Sequence, residues 1–292
     1  MSLVAPLIPS EVRDAALTAT HWPARLALGF ALRAGRTTLV DRAHSGPLVV
    51  QKSLYPEGPE VCQCVIVHPP GGIVGGDTLA LQVEVAKDAR AQLVTPGAAK
   101  WYRTAGGDAR QALDFRVDHG GSLEWLPNES IVFDGAEARM QTRVALSGSA
   151  VLLFWDVVCL GRTAAGERFT RGSLQQGIEV VRDGALIWVE RAVLHAGDLA
   201  SRSAAGFGNR AAYGTFVIAA PSIEDDWLGA ARTHGSNIAE DDYGATRLPG
   251  VLIVRCRADA ADHIHARFRA LWMDLRPRVI GRSAVLPRIW RT

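Results

Sequence analysis

Thr78-Leu-Ala-Leu-Gln-Val-Glu-Val85 places Leu79, Leu81, Val83 and Val85 on one side of an extended chain and Thr78, Ala80, Gln82 and Glu84 on the other. A period of two is the pattern of a strand with one buried face, and a helix cannot gather residues so spaced onto one stripe. The same reading extends in both directions. Period-2 or short apolar runs punctuated by Gly, Pro, Asp and Asn predict strands at 25–32, 37–41, 48–54, 61–68, 91–95, 111–117, 122–126, 139–145 and 151–160, and again at 177–182, 185–193, 214–219 and 250–255. Strands that follow one another without an intervening helical period predict an all-β dominated body.

Two segments break the pattern, both in the last third. One opens after Pro221, with Ser222 as the expected N-cap, Ile223, Trp227, Leu228 and Ala231 at helical spacing, and an end near Gly235. The other runs from about Ala260 to Arg276, carries Ile264, Phe268, Leu271, Trp272 and Leu275 on one stripe, and is expected to stop at Pro277. No repeat of fixed period stands out and no long linker marks a boundary, so the economical division is one domain over 1–292. It has a β body at about 20–220 and a small helical C-terminal part at about 221–292.

Composition narrows the functional classes. Of 292 residues 48% are hydrophobic and 21% charged, which excludes a disordered chain, and a formal charge of +2 gives no whole-chain attraction to nucleic acid or to an anionic membrane. The longest uncharged runs are about a dozen residues, short of the roughly 20 that a spanning helix needs. Cys62, Cys64, Cys159 and Cys256 lack CxxC spacing, and the residues from Met1 to Arg13 lack the basic and apolar regions of a secretory signal, so the chain reads as cytoplasmic with reduced thiols. Near-neutrality hides a local contrast. Residues 224–242 hold six acids against Arg232, and 247–292 hold ten Arg against Asp259, Asp262 and Asp274, a juxtaposition that means intramolecular pairing or a protein partner.

The densest motif is His68-Pro-Pro-Gly-Gly-Ile-Val-Gly-Gly-Asp77, between two predicted strands. Its glycine pairs permit an irregular loop, but no Lys-Ser/Thr pair and no helix follow, so it is not a phosphate cradle; it is either a bare turn or a backbone surface that meets a partner or lines a passage. Gly206-Phe-Gly-Asn-Arg-Ala211 precedes a strand and is not a dinucleotide fingerprint. Cys62, Cys64 and His68 would project from one strand face, a soft donor set for Ni, Zn or Cu that equally fits a buried strand side. His263 and His265 point to different helix faces and read as separate surface histidines. Carboxylates from Glu124 through Glu129 to Asp134, with Asp156 and Glu167, could perform acid-base work, though spacing alone brings no two together.

His68 to Asp77, Thr95-Pro-Gly-Ala-Ala-Lys-Trp-Tyr-Arg103, Leu123-Glu-Trp-Leu-Pro-Asn-Glu-Ser-Ile-Val-Phe-Asp-Gly135, Cys159-Leu-Gly-Arg-Thr-Ala-Ala-Gly-Glu-Arg-Phe169 and Pro287-Arg-Ile-Trp290 together resemble the UreD (UreH) family of urease accessory proteins, in order and over nearly the whole chain. The resemblance implies a β-helix-like stack of many short strands and a non-enzymatic role. Such proteins dock on apo-urease and bind UreF, which recruits the GTPase UreG, and together they insert nickel into urease when GTP is hydrolysed. It further implies no tightly bound cofactor and a transient passage for Ni2+. The expected lining is Asp77, Glu129, Asp156 and Glu167, with His68 and Cys62 behind them, and the expected UreF-facing tail is Arg288, Ile289 and Trp290. Exchangeable oxygen ligands suit transit better than a thiolate cage, so low nickel affinity is expected of the isolated chain. The competing reading is a β-helical carbohydrate-active enzyme using the carboxylates from Glu124 to Asp134.

Overall fold

The structure, a computed structural model, describes residues 22–236 and 242–291. The segment from Met1 to Arg13 read for a signal, and Glu240 and Asp241 of the acidic run, lie outside the described residues. The strands in chain order are β1 (Pro23–Arg33), β2 (Arg36–Ser45), β3 (Val49–Val50), β4 (Val61–Val67), β5 (Gly72–Ile73), β6 (Thr78–Val85), β7 (Arg90–Val94), β8 (Ala99–Trp101), β9 (Ala109–Val117), β10 (Ser122–Leu126), β11 (Ser130–Val132), β12 (Ala136–Leu146), β13 (Val151–Leu160), β14 (Gly172–Arg182), β15 (Ala185–His195), β16 (Ala212–Ala219), β17 (Tyr243–Leu248) and β18 (Val251–Ala258). The helices are α1 (Leu199–Arg202), α2 (Asp225–Gly235) and α3 (Ala261–Ile280).

The alternation of β6 recurs in β9 and β12, and stacking those strands in parallel buries each inward row against its neighbours. Leu81 pairs with Leu113, Leu113 with Thr142 and Thr142 with Ile178, while Val83 pairs with Phe115, Phe115 with Val144 and Val144 with Val180. On the opposite side β4, β7, β10 and β13 stack the same way, with β5, β8 and β11 as short third sides. The result is a β-solenoid. Each coil runs from one sheet through a short strand to the other, and the coil starts Val61, Arg90, Ser122 and Val151 stand in register, 29, 32 and 29 residues apart. This is the repeat that the sequence does not display, because the coils share an inside-outside pattern and not residue identities. The antiparallel strands β2 and β15 flank the first sheet, and β3 lies at one edge of the second; β16, β18 and β17 extend its other edge.

Two apolar cores follow from this geometry. The interior of the solenoid holds Phe30, Phe115, Phe154, Trp101 and Trp125. The outer face of the second sheet buries Leu153, Trp155, Phe216 and Val254 against Ile264, Phe268, Leu271 and Trp272 of α3. Gly214 makes that docking possible: a Cβ there would stand 2.8 Å from Ile264 and 2.9 Å from Phe268.

Beneath α3 runs a column of polar side chains in coil register. Gln63, Gln92 and Glu124 pair sequentially across β4, β7 and β10. Gln63 Nε2 donates to Gln92 Oε1 at 2.5 Å, and Gln92 Nε2 donates to Glu124 Oε1 at 3.2 Å. Glu124 also accepts from Trp272 Nε1 at 2.7 Å and from Arg276 Nε and Nη2 at 3.0 and 2.8 Å. Arg276 reaches Glu57 at 2.8 Å and the Ser283 carbonyl at 2.6 Å. Arg276 and Glu124 are 0% and 1% exposed, so neither charge has water to fall back on.

Three sequence expectations are corrected. Only Val49–Val50 of the segment 48–54 is strand; after it the chain makes isolated bonds to β4, from Gln51 to Val65 and between Leu54 and Gln63. The first helix starts at Asp225 with Glu224 in the cap position, because the Ser222 hydroxyl is spent on the Glu224 carboxylate at 2.7 Å. Pro277 does not stop α3. The helix ends at Gly281, whose φ of 69° lets its N–H close on the Pro277 carbonyl at 3.0 Å. The acidic and basic segments pair with each other and with the body: Asp226 with Arg278, Asp225 with Arg247, and Asp242 with Arg210.

Arg276→Ala leaves Glu124 buried without its counter-charge and Glu57 with only the more distant Arg282, 3.8 Å away. It is expected to cost about 3–5 kcal/mol in urea unfolding. A loss under about 1 kcal/mol would mean that water fills the gap and that the pair does not hold α3 down.

Candidate functional site

The loop from His68 to Asp77 explains its own glycines. Gly71 and Gly76 adopt φ of 72° and 95°, whereas Gly72 and Gly75 are needed for close approach: a Cβ at Gly72 would lie 2.0 Å from the Tyr102 ring, and one at Gly75 would lie 1.9 Å from Thr104. Asp77 fastens the loop, accepting from the Val74 N–H at 3.0 Å and from the Trp22 N–H at 3.2 Å. This loop forms one wall of a cavity of about 230 Å³ between the two sheets. His68, Gly72 and Ile73 stand on that wall; Leu79, Leu81 and Leu113 come from the first sheet, Trp125, Ser130 and Asp156 from the second, and Pro96, Gly97, Ala98 and Asn128 close the side.

Among the expected lining residues, His68 and Asp156 therefore share one chamber. Burial lowers the pKa of His68 and outweighs the opposing pull of Asp77, which leaves a neutral imidazole at neutral pH. Asp156 has the opposite problem. Burial pushes its carboxyl up to about 6, with Glu190 adding like-charge repulsion, against the hydrogen bond from Gln176 Nε2 at 2.6 Å. Gln176 Oε1 in turn accepts from the Tyr213 hydroxyl at 2.9 Å, and beyond it Glu190 takes Thr215 at 3.3 Å and Arg255 at 3.1 Å. Glu190 was not anticipated from sequence. Its signal was present: Trp188, Glu190, Ala192 and Leu194 are alternate residues of β15, so a carboxylate occupies an otherwise apolar inward row.

The remaining candidates lie elsewhere. Glu167 binds Arg162 at 2.7 Å and the Asp134 N–H at 3.2 Å in a surface turn. Cys62 is buried in the solenoid core beside Cys64, and Ser53 meets Cys64 at 3.7 Å. Hydrogen bonding from Cys64 is the largest cause that draws the Cys62 thiol down to about 6, and burial opposes it. Glu129 sits outside the chamber, where His265 Nε2 meets its Oε2 at 3.0 Å. Burial pushes Glu129 up, but the His265 hydrogen bond and nearby Arg269 outweigh it and hold the carboxyl below its ordinary value. His265 is thus not a surface histidine: its ring packs toward Trp155, with centroids 6.4 Å apart. Among the described residues no three His, Cys, Asp or Glu side chains converge as a metal-holding group. The carboxylates suggested for glycoside chemistry are also dispersed, Glu124 on Arg276, Glu129 on His265 and Asp134 on Arg171.

In the C-terminal tail Arg288 is exposed, while Trp290 turns inward, its ring 5.5 Å from Trp155 and 5.8 Å from Trp272, with the Arg269 guanidinium 4.8 Å over its face. Ile289 packs partly buried on the same core. Among the described residues no helix is long and apolar enough to cross a membrane.

The family model described as UreD urease accessory protein matches residues 23–291. The chain is 47% identical over 280 residues to the urease accessory protein UreD 2 of Pseudomonas syringae pv. syringae, covering 96% of this chain and 98% of that one. It is 45% identical to the urease accessory protein UreD of Dechloromonas aromatica and 47% identical to that of Pseudomonas aeruginosa, each over 93% of this chain and 95% of the relative.

The raised pKa of Asp156 fixes a pH signature. A carboxyl held at about 6 in the folded state, against an ordinary value of 3.8, is penalised once it ionises. The penalty is absent below about pH 4, grows between pH 4 and 6 and levels off above, at about 3 kcal/mol for roughly two units. Asp156→Asn is expected to be more stable than the parent above pH 6 and equal to it near pH 4. Parallel stability-pH curves for the two proteins would contradict the assignment.

Proposed function

This chain belongs to the UreD family of urease accessory proteins, and from that premise we propose that it is a non-enzymatic scaffold for nickel delivery. It binds apo-urease and UreF, works with the GTPase UreG through UreF, and assists the GTP-dependent insertion of nickel into urease, with nickel passing through the chamber between its two sheets. The observation that carries the reading is the chamber itself: His68 and Asp156 on its wall, Glu190 behind a Gln176–Tyr213 pair, and, among the described residues, no donor set that closes around an ion.

The chemistry suits cargo in motion. A neutral imidazole and a lone carboxylate offer borderline and hard donors one or two at a time, whereas three or four converging ligands would hold the ion. Low nickel affinity of the isolated chain follows. The carbohydrate-active alternative has little to stand on, because the acids it needs are each engaged by a separate cation or imidazole. The exposed Arg288, flanked by Ile289 and the Trp290 anchor, is the proposed UreF-facing surface; the anchor holds the tail in place and the arginine faces outward. We place the chain in the cytoplasm, with its partners.

Two measurements test this. Asp156→Ala, co-expressed with urease and the other accessory proteins, is expected to lower urease activation at least about tenfold while co-purification with UreF and urease is retained; normal activation would remove the chamber from the pathway. Arg288→Glu is expected to reduce UreF co-purification with no change in thermal midpoint. Intact UreF binding by that folded variant would move the interface elsewhere.

A further inference from the structure

The chamber has a neighbour on the other side of its wall. Pro96, Gly97, Ala98 and Asn128 line both the 230 Å³ chamber and a second pocket of about 310 Å³ that lies against the start of α3. In that second pocket stand Glu129, Asp262, His265 and Arg269. The wall strand is extended, so successive side chains alternate: Glu129 lines the outer pocket while the next residue, Ser130, lines the chamber. The wall is pinned by a few bonds, Asn128 N to Thr95 Oγ1 at 2.8 Å, Asn128 Nδ2 to the Thr95 carbonyl at 2.9 Å, and Ala99 N to the Glu129 carbonyl at 2.9 Å.

His265 is 3% exposed, lines the pocket, and has no hydrogen-bond partner for its Nδ1, although a buried imidazole of purely structural purpose would have both nitrogens engaged. An imidazole and an ionised carboxylate 3.0 Å apart form a two-donor set for a borderline divalent cation. The Cys159 thiol nearby is not a competing soft ligand, because burial pushes its pKa up and it is spent on the Gly161 carbonyl at 3.3 Å. Arg269, half-buried beside the pair, weakens any cation held there and keeps the site exchangeable.

We propose that the Glu129–His265 pocket is a loading site at which a divalent transition-metal cation is taken up before it crosses the Pro96–Ala98 wall into the chamber. The cation takes the place of the hydrogen between Nε2 and Oε2, and that hydrogen moves to the unpartnered Nδ1, so the imidazole stays neutral and no proton is lost overall. This rests on the reading that the chamber carries nickel, and it adds the point of entry and the wall that separates uptake from passage.

The position of Trp155 and Trp290 supplies the probe. Both rings lie close to the pair, so bound Ni2+ quenches their fluorescence whereas Mg2+ does not. NiCl2 is titrated into the full chain co-purified with UreF, with Glu129→Gln and His265→Gln compared to the parent after each variant's thermal midpoint is checked. The half-saturating nickel concentration is expected to rise at least roughly tenfold in both, the scale on which a lost ligand or its support weakens a metal site. Ala98→Phe fills the shared wall and is expected to keep the quenching and lose urease activation. Gly97→Phe, at a position where an added Cβ meets nothing within 4 Å, serves the same purpose if the first variant does not fold. Unaltered quenching in Glu129→Gln and His265→Gln, or normal activation in a folded wall-filling variant, overturns the proposal. Normal activation in Asp156→Ala would instead sink the chamber reading, so the two failures are distinct.

Discussion

A carboxylate buried beneath a helix must find a counter-charge, and in this fold the Glu124 carboxylate finds it in Arg276 of α3. It lies on the outer face of the third coil, covered by α3, and accepts from both Trp272 and Arg276. Because the guanidinium and the indole are one turn apart on α3, meeting both sets the rotation and height of that helix over the sheet together. The Gln63–Gln92 column then passes the same constraint back through two earlier coils, so solenoid and helix are registered by one chain of hydrogen bonds. Replacing a buried ion pair of this kind with well-packed apolar side chains of similar volume is often neutral or stabilising. What such a core would lack is the single register that polar pairing imposes.

The site inherits its geometry from that register. Immediately after Glu124 the chain completes β10 and enters Pro127, Asn128 and Glu129, the wall between chamber and outer pocket. Trp155 donates to the Pro127 carbonyl at 2.7 Å, and Trp155 is itself held by Phe268 and Trp290 on the helical side. The wall is therefore positioned from outside by α3 and the tail, and from inside by Thr95. His265 reaches Glu129 only because α3 is seated by Arg276, just over three turns further along the same helix.

How much of this was legible in the sequence depends on the range over which the signal acts. Alternation such as that of residues 78–85 is local, and it located most of the long strands. The third sides of the coils, Gly72–Ile73, Ala99–Trp101 and Ser130–Val132, are too short to show a period, so the closed coil and its spacing stayed hidden. For the same reason no solenoid could be read from the residues alone, and the β-helix came from the family resemblance. Asp156 and His68 entered as lining candidates through the passage that the family resemblance implies, and only the fold brings them to one chamber. The pairing of Glu129 with His265 spans 136 positions and depends on how α3 lies, which spacing within the helix cannot report; two histidines at i and i+2 looked like surface residues until one was placed under Trp155. Pro277 misled in the opposite direction, because a proline near a helix end is tolerated when Gly281 can still close the last turn.

The distribution of charge along the proposed path has its own logic. The chamber is walled mainly by carbon, from Leu79, Leu81, Leu113 and Trp125, with Asp156 facing it and Glu190 behind. A dication in such surroundings sheds little of its hydration without cost, since each charge moved into a low-dielectric interior is penalised unless ligands replace the lost water. An ion would therefore reside where the carboxylates are and cross the apolar stretch between them quickly. Flanked by further acids Asp156 would become a trap; a lone carboxylate that already accepts from Gln176 binds a cation more weakly than a pair of carboxylates would. Burial is thus what makes the ionised form of Asp156 costly to the fold, while the single hydrogen bond from Gln176 is what holds its carboxylate in place.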